Sequence, residues 1–424
     1  MADSDQKQEE ISLKDKLRSI GGVFKPNTQV LRFLCCIVLS GMAFGLYRGI
    51  QDNYLADIIH ITPFERGIVE FFRELPGLLV VFILALMYKF TANKIFKIST
   101  AIMMCGMAGL LLTSMGSFFQ AKFIVVIFMV LFSTGEHIIM PVRTAITLDF
   151  AKREKAGASL GIVSSVTNIG NILGFIIVTV LFFMLSRFGF TRTDIFGFRL
   201  IFGLSLALAI ASTMVILALK DNKTKTERQR FYFHKKFRKF YMLEVFYGAR
   251  KQIFLTFAPY VLILEYRADP SIMSFLYTIC AAFGILLAPF VGKLIDRLGY
   301  KVVMVGDTII LVFVCLLYGF AHRLFPVNIA FIIVCANFIL DSIITMGQMA
   351  ANVYVQRISS NQEEITATLS TGVSVNHLIS ILIALLGGLI WDLTGIEVLF
   401  TLSAILGLIN SFYAMTIKKS EEVS

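Results

Sequence analysis

Charge is what this sequence has little of. Asp, Glu, Lys and Arg make up only 16% of its 424 residues, while 57% are hydrophobic and the mean hydropathy is +0.79. A soluble domain sits well below that apolar fraction, and long uncharged runs mean membrane spans. Other absences narrow the function. No Walker loop, nucleophile–base pairing or metal-ligand cluster can be pointed to, so an enzyme is not expected, nor is a cofactor. The six cysteines (Cys35, Cys36, Cys105, Cys280, Cys315, Cys335) fall inside apolar runs without metal-ligand spacing and read as packing residues. No cleavable signal peptide is expected, because the stretch before the first span is polar. No extra soluble domain is expected, which leaves a membrane sensor as a minor alternative. The net charge of +11 would suggest nucleic acid in a soluble protein. Here the excess sits in loops between spans, so it points to membrane topology and no nucleic-acid partner.

A span needs about 20 apolar residues, and this length fits twelve with short loops. They are expected at 29–56, 64–88, 95–118, 122–150, 157–186, 198–219, 242–266, 271–295, 302–321, 327–356, 363–390 and 396–417. The fold class is therefore an all-α membrane protein of two six-helix halves, 29–219 and 242–418, joined by a basic linker, 220–241. Tails at 1–28 and 419–424 complete the chain; Ile11–Phe24 reads as either an interfacial amphipathic helix or a disordered tail. One set of alternate loops carries Lys89, Lys94 and Lys97, then Lys152, Arg153 and Lys155, then the linker, then Arg297 and Lys301. Arg187, Arg192 and Arg199 dissent, but the balance puts both termini in the cytoplasm. The linker cations suit anionic lipid headgroups. Short loops favour a bacterial inner membrane, and a monomer is expected.

The halves look related. Gly45–Arg48 aligns with Gly248–Lys251, Tyr88–Lys97 with Gly292–Lys301, and Ala158–Leu160 with Ala367–Leu369. Such repeats suit a transporter that holds its solute at mid-membrane.

Ionisable side chains inside spans are costly and mark function by default. Span one holds Arg48 and Asp52; span two holds Glu70, Arg73 and Glu74 ahead of Pro76. Span four has Glu136, His137 and Arg143; span seven has Glu244, Arg250, Lys251 and Gln252. Span ten adds Asp341, Gln348 and Asn352, and span eleven Asn376 and His377. Arg48 and Lys251 occupy equivalent places in the two halves, with Arg250 adjacent. A facing pair of cations suits phosphate or carboxylate; equally, these cations could pair with neighbouring carboxylates and hold the halves together. Arg48, Asp52, Arg143, Arg250, Lys251, Gln348, Asn352 and Asn376 are the solute-binding candidates. Glu136, Asp341 and His377 are the candidates for carrying protons, since a carboxyl in a low-dielectric cavity takes up a proton more readily. A salt bridge to Arg143 would instead keep Glu136 ionised. Glu70, Arg73 and Glu74 read as an internal charge cluster.

The stretch Gly292-Lys-Leu-Ile-Asp296-Arg297-Leu-Gly299-Tyr-Lys301 has the pattern G-x-x-x-D-R-x-G-x-K. Between two spans, it resembles the signature loop of the major facilitator superfamily. The resemblance implies a cytoplasmic loop between spans eight and nine, with Gly292, Asp296, Arg297 and Gly299 serving the gate. It also implies that spans one, four, seven and ten line a central cavity. The first-half copy keeps only Lys89 and Lys97, lacking the glycines and the Asp-Arg pair. A shorter likeness, over Arg250-Lys-Gln-Ile-Phe254 and Pro259-Tyr-Val-Leu262, resembles the organophosphate:phosphate antiporters. The marks of the drug/proton antiporters, peptide transporters and sugar porters are missing. The expected function is a secondary active transporter of an anionic or zwitterionic organic solute, with a proton or another ion as coupling partner. An exporter of amphipathic drugs or lipid-like compounds is the alternative.

Overall fold

A computed structural model describes residues 22–25, 28–116, 120–219 and 232–417. The expectations for Ile11–Gly21, most of the basic linker and the C-terminal tail lie outside the described residues. The rest forms twelve long helices and, among the described residues, one isolated β-bridge between Phe24 and Ala151. They are α1 (Thr28–Asn53, extended by a π-turn at Tyr54–Ile58), α2 (Pro63–Leu86), α3 (Ala92–Thr113), α4 (Lys122–Phe150), α5 (Ala156–Arg187) and α6 (Ile195–Leu217). The second half contains α7 (Arg238–Leu264), α8 (Pro270–Leu298), α9 (Tyr300–Leu324), α10 (Val327–Ile358, with a 3-10 turn at Thr345–Gln348), α11 (Gln362–Thr394) and α12 (Ile396–Met415). The helix α7 starts at Arg238, ahead of the residue 242 expected, and α3 ends at Thr113, ahead of 118.

Ten of the twelve helices are long and apolar enough to cross a membrane by length and composition. The two that fall short, α2 and α7, are the ones most loaded with charge: Glu65, Arg66, Glu70, Arg73 and Glu74 in one, Glu244, Arg250 and Lys251 in the other. Buried in a bundle of apolar helices, such charges need partners rather than lipid.

Local chemistry sets several boundaries. Thr62 and Glu65 form a reciprocal capping box with Pro63 in the first turn of α2. Asp269 accepts from the Ile272 amide at 2.9 Å and Pro270 opens α8. Gly299 (φ 86°) makes the tight junction from α8 to α9. Gly395 (φ 91°) does the same between α11 and α12, and Gly189 (φ 86°) turns the chain just after α5. The junction from α2 to α3 uses no glycine, as the loss of both from its copy of the signature loop foretold.

The two halves repeat the same packing. Helix α1 lies along α5 and α6, and α7 along α11 and α12. Glycines permit the closeness: a Cβ on Gly45 would sit 2.3 Å from the Asn171 carbonyl oxygen, and one on the equivalent Gly248 would sit 2.6 Å from Ile379. The halves meet through α2 against α11 and α5 against α8.

The apolar core shows how they meet. One cluster takes residues from both halves, including Leu46, Tyr54, Phe198, Phe257, Tyr260 and Leu276. Two others are confined to single halves near the chain ends, one around Phe33, Phe96 and Phe150, the other around Phe240, Tyr300 and Tyr354. The halves are therefore joined at the end opposite the termini and separately packed at the end that holds them. Two of the three dissenting arginines find a structural role at the joined end. Arg192 pairs with Asp57 at 3.3 Å and donates to the Ile263 carbonyl, while Arg199 donates to that of Ser114 at 2.8 Å.

Candidate functional site

Near the middle of the bundle a cavity of about 240 Å³ lies between the halves. Its walls carry Arg48 from α1, Lys251, Phe254, Leu255, Ala258 and Pro259 from α7, Tyr277 and Cys280 from α8, and Phe338, Asp341, Ser342 and Thr345 from α10. Three candidate residues thus face one space: Arg48, Lys251 and Asp341.

Their neighbours decide how free they are. Arg48 lies 3.6 Å from Asp52, with its guanidinium over the Tyr277 ring at 5.4 Å. Asp52 is held more closely elsewhere: Arg66 is 3.1 Å from Oδ1, and the Tyr277 hydroxyl donates to Oδ2 at 3.0 Å. Arg66 is fully buried and also holds Glu70 at 2.8 Å. Arg250 pairs with Asp341 at 3.0 Å. Lys251 has no carboxylate within ion-pair distance among the described residues; its ammonium donates to Asn376 Oδ1 at 3.4 Å. Asn376 and Gln348 both donate to Glu244 at 3.1 Å, so these two amides are tied to a buried carboxylate. Arg48 and Lys251 are accordingly the cavity cations whose nearest carboxylates are claimed by others.

The remaining candidates lie elsewhere. Glu136 and Arg143 stand on α4, whose residues are not in the wall of this cavity. Arg143 donates to Thr167 at 3.4 Å, and Glu136 has no ion-pair partner among the described residues. The expected alternative of a Glu136–Arg143 salt bridge is not formed. Asn352 is exposed on the last part of α10. His377 meets Glu74 of the opposite half at 2.9 Å. Gly292, Asp296, Arg297 and Gly299 sit at the terminus-bearing end, where Asp296 and Arg297 are exposed and Lys301 donates to the Met415 and Ile417 carbonyls.

Sequence reasoning passed over Arg66 and Tyr277. Arg66 was legible in its spacing, one helical turn before Glu70, but the expected span began at residue 64 and put it at the water's edge. Tyr277 carries no charge and offers no such signal.

A model of the Major Facilitator Superfamily matches residues 33–245 and again 240–423, once for each half. The chain belongs to this superfamily. The solved structures of similar fold agree. One is a nucleoside transporter NupG mutant (TM-score 0.72, 14% identity, covering 92% of this chain and 99% of that one). A second is the xylose transporter XylE from E. coli, inward open (0.70, 12%, 92% and 97%). A third is a bacterial homologue of the human lysosomal transporter Spinster, inward-facing and occupied (0.68, 12%, 93% and 97%). Identities this low establish the fold and no branch within it. No curated protein matches the chain. It is a multi-pass membrane transporter with a small-molecule substrate.

Proposed function

We propose that this transporter moves a small anionic or zwitterionic organic solute by secondary active transport, rocking its halves around the cavity between α1, α7, α8 and α10. The observation that carries the reading is that Arg48 and Lys251, one from each half, both line that cavity, with Asp52 and Asp341 engaged by Arg66 and Arg250. A carboxylate or phosphate bridging the two cations would replace water with charge-assisted hydrogen bonds. The apolar wall of Phe254, Leu255 and Phe338 suits the organic part of the solute. The volume of about 240 Å³ lies below the roughly 300–1,000 Å³ of pockets for drug-sized ligands, which favours a small solute over a bulky amphipath.

The positive loops support cytoplasmic termini; on that reading the end where the halves pack separately faces the cytoplasm, and the state is inward-facing. Asp341 is the proton carrier that the contacts favour: a proton there would release Arg250 and add a third cation to the solute's surroundings, coupling proton and anion in the same direction.

Uptake of organic phosphates and carboxylates into proteoliposomes tests the reading. Losing one charged hydrogen-bonding partner costs about 1.5–3 kcal/mol, so Arg48→Ala or Lys251→Ala should raise KM for an anion at least tenfold. Unchanged anion uptake in both variants would remove the proposed grip.

A further inference from the structure

A second polar cluster lies outside the cavity wall, where α2 and α4 of one half meet α11 of the other. It consists of Glu74, His137 and His377, and one ligand atom from each lies within 4.8 Å of the others. Glu74 Oε1 is taken by Arg73, which leaves Oε2 facing the histidines. His377 Nδ1 is 2.9 Å from Oε2, and His137 Nε2 is 4.0 Å from it.

The hydrogen bonds of His137 make this more than a chance meeting. Its Nδ1 lies 2.9 Å from the Ser133 carbonyl oxygen, which can only accept, so Nδ1 carries a hydrogen. In the neutral ring Nε2 then carries the lone pair, 4.0 Å from a carboxylate oxygen and too far for a direct hydrogen bond. Two electron-pair donors face each other across a gap the width of a cation. Anchoring of a histidine through its other ring nitrogen on a backbone carbonyl is the usual support of metal-ligating imidazoles. Space is kept open by Gly77: a Cβ there would lie 2.7 Å from His137 Nε2 and 2.9 Å from His377 Cε1. His377 retains 22% side-chain exposure, so an ion can enter.

We propose that Glu74, His137 and His377 form a site for a zinc-class divalent cation. Two imidazole nitrogens and one carboxylate oxygen are a donor set that zinc accepts, with a fourth position left for water. Tetrahedral zinc separates its ligand atoms by about 3.3 Å, which small ring rotations reach from the present spacing. Because His377 belongs to the opposite half from Glu74 and His137, the bound ion fastens the halves together and opposes their movement. Zinc is therefore an inhibitor of transport acting through the junction.

The test is thermal unfolding of the full-length protein in detergent, without solute, so that its outcome is independent of the anion reading. Zinc chloride should raise the unfolding temperature, magnesium chloride should not, and a chelator should reverse the shift. His137→Gln and His377→Gln should each abolish the zinc shift. Gly77→Ala, which keeps all three ligands, should weaken the apparent zinc affinity at least tenfold. In proteoliposomes zinc should slow wild-type uptake, and the fractional inhibition should vanish in His137→Gln. A wild-type protein that shows no zinc shift, or one equal to that of both histidine variants, would overturn the site. An equal response to magnesium would do so as well, since that ion prefers oxygen ligands.

Discussion

The Tyr277 hydroxyl reaches from α8 of one half to Asp52 on α1 of the other, at 3.0 Å. It lines the cavity between the halves and bridges them, so it ties the cavity wall to the closure. Tyr277→Phe keeps the ring under Arg48 and removes only this bond. A hydrogen bond to a carboxylate contributes about 1.5–3 kcal/mol, which is at least a tenfold change in an equilibrium. The joined end should then open more often, and a cysteine placed at buried Ala268 should be labelled at least about tenfold faster. Equal labelling rates with and without the hydroxyl would show that Tyr277 has no part in holding the halves.

Arg66 should be the most damaging single charge to remove. It is fully buried, with Asp52 at 3.1 Å on one side and Glu70 at 2.8 Å on the other. Arg66→Met would leave two buried carboxylates short of compensation, at a cost of about 3–5 kcal/mol. Arg66→Lys keeps the charge but not the fork that reaches two acceptors, and should fall between. Unfolding temperatures in detergent separate the three proteins. A Met variant as stable as the parent would mean that Arg48 and Arg73 already satisfy both acids.

Two glycines allow stability to be separated from conformational balance. A Cβ on Gly67 would lie 2.3 Å from the Ala384 carbonyl oxygen, across the junction between halves. One on Gly41 would lie 2.8 Å from that of Thr167, inside the first half. Both contacts are with backbone, which cannot swing away, and overpacking of this kind costs about 1–3 kcal/mol. Gly41→Ala should lower the unfolding temperature and leave Ala268 labelling unchanged. Gly67→Ala should instead push the halves apart at their joined end and speed labelling. If both variants behave alike, the junction is not the place where the two states differ.

The twelve helices and their six-and-six division were legible because both follow from hydrophobic runs along the chain. Pairings were not. Asp341 and Arg250 are 91 residues apart, and nothing local says that they meet. The same holds for His377, whose partner Glu74 lies in the other half. The charges on α2 were legible as an internal cluster, and they form one, but its further members were not: Arg66 extends it to Asp52, and Gln252 of α7 joins Glu70 at 3.1 Å. A helix can be read by its own periodicity; which carboxylate a cation chooses depends on helix packing that the period leaves open.

Asp341 offers the sharpest test of coupling. Its carboxylate both faces the cavity and holds Arg250 at 3.0 Å. If a proton on Asp341 frees Arg250 for the solute, Asp341→Asn imitates the protonated state permanently. The variant should still exchange labelled for unlabelled solute across a proteoliposome membrane, because exchange needs binding and rocking but no net proton movement. It should lose accumulation driven by an imposed pH gradient. The acid arm carries the sign: parent uptake should rise as the outside is acidified, and the variant's should stay flat. Glu136→Gln is the companion, because Glu136 lacks an ion-pair partner among the described residues yet stands outside the cavity wall. Should Glu136→Gln abolish the gradient response while Asp341→Asn retains it, the proton travels by α4, and the Arg250–Asp341 pair is a structural tie within the second half.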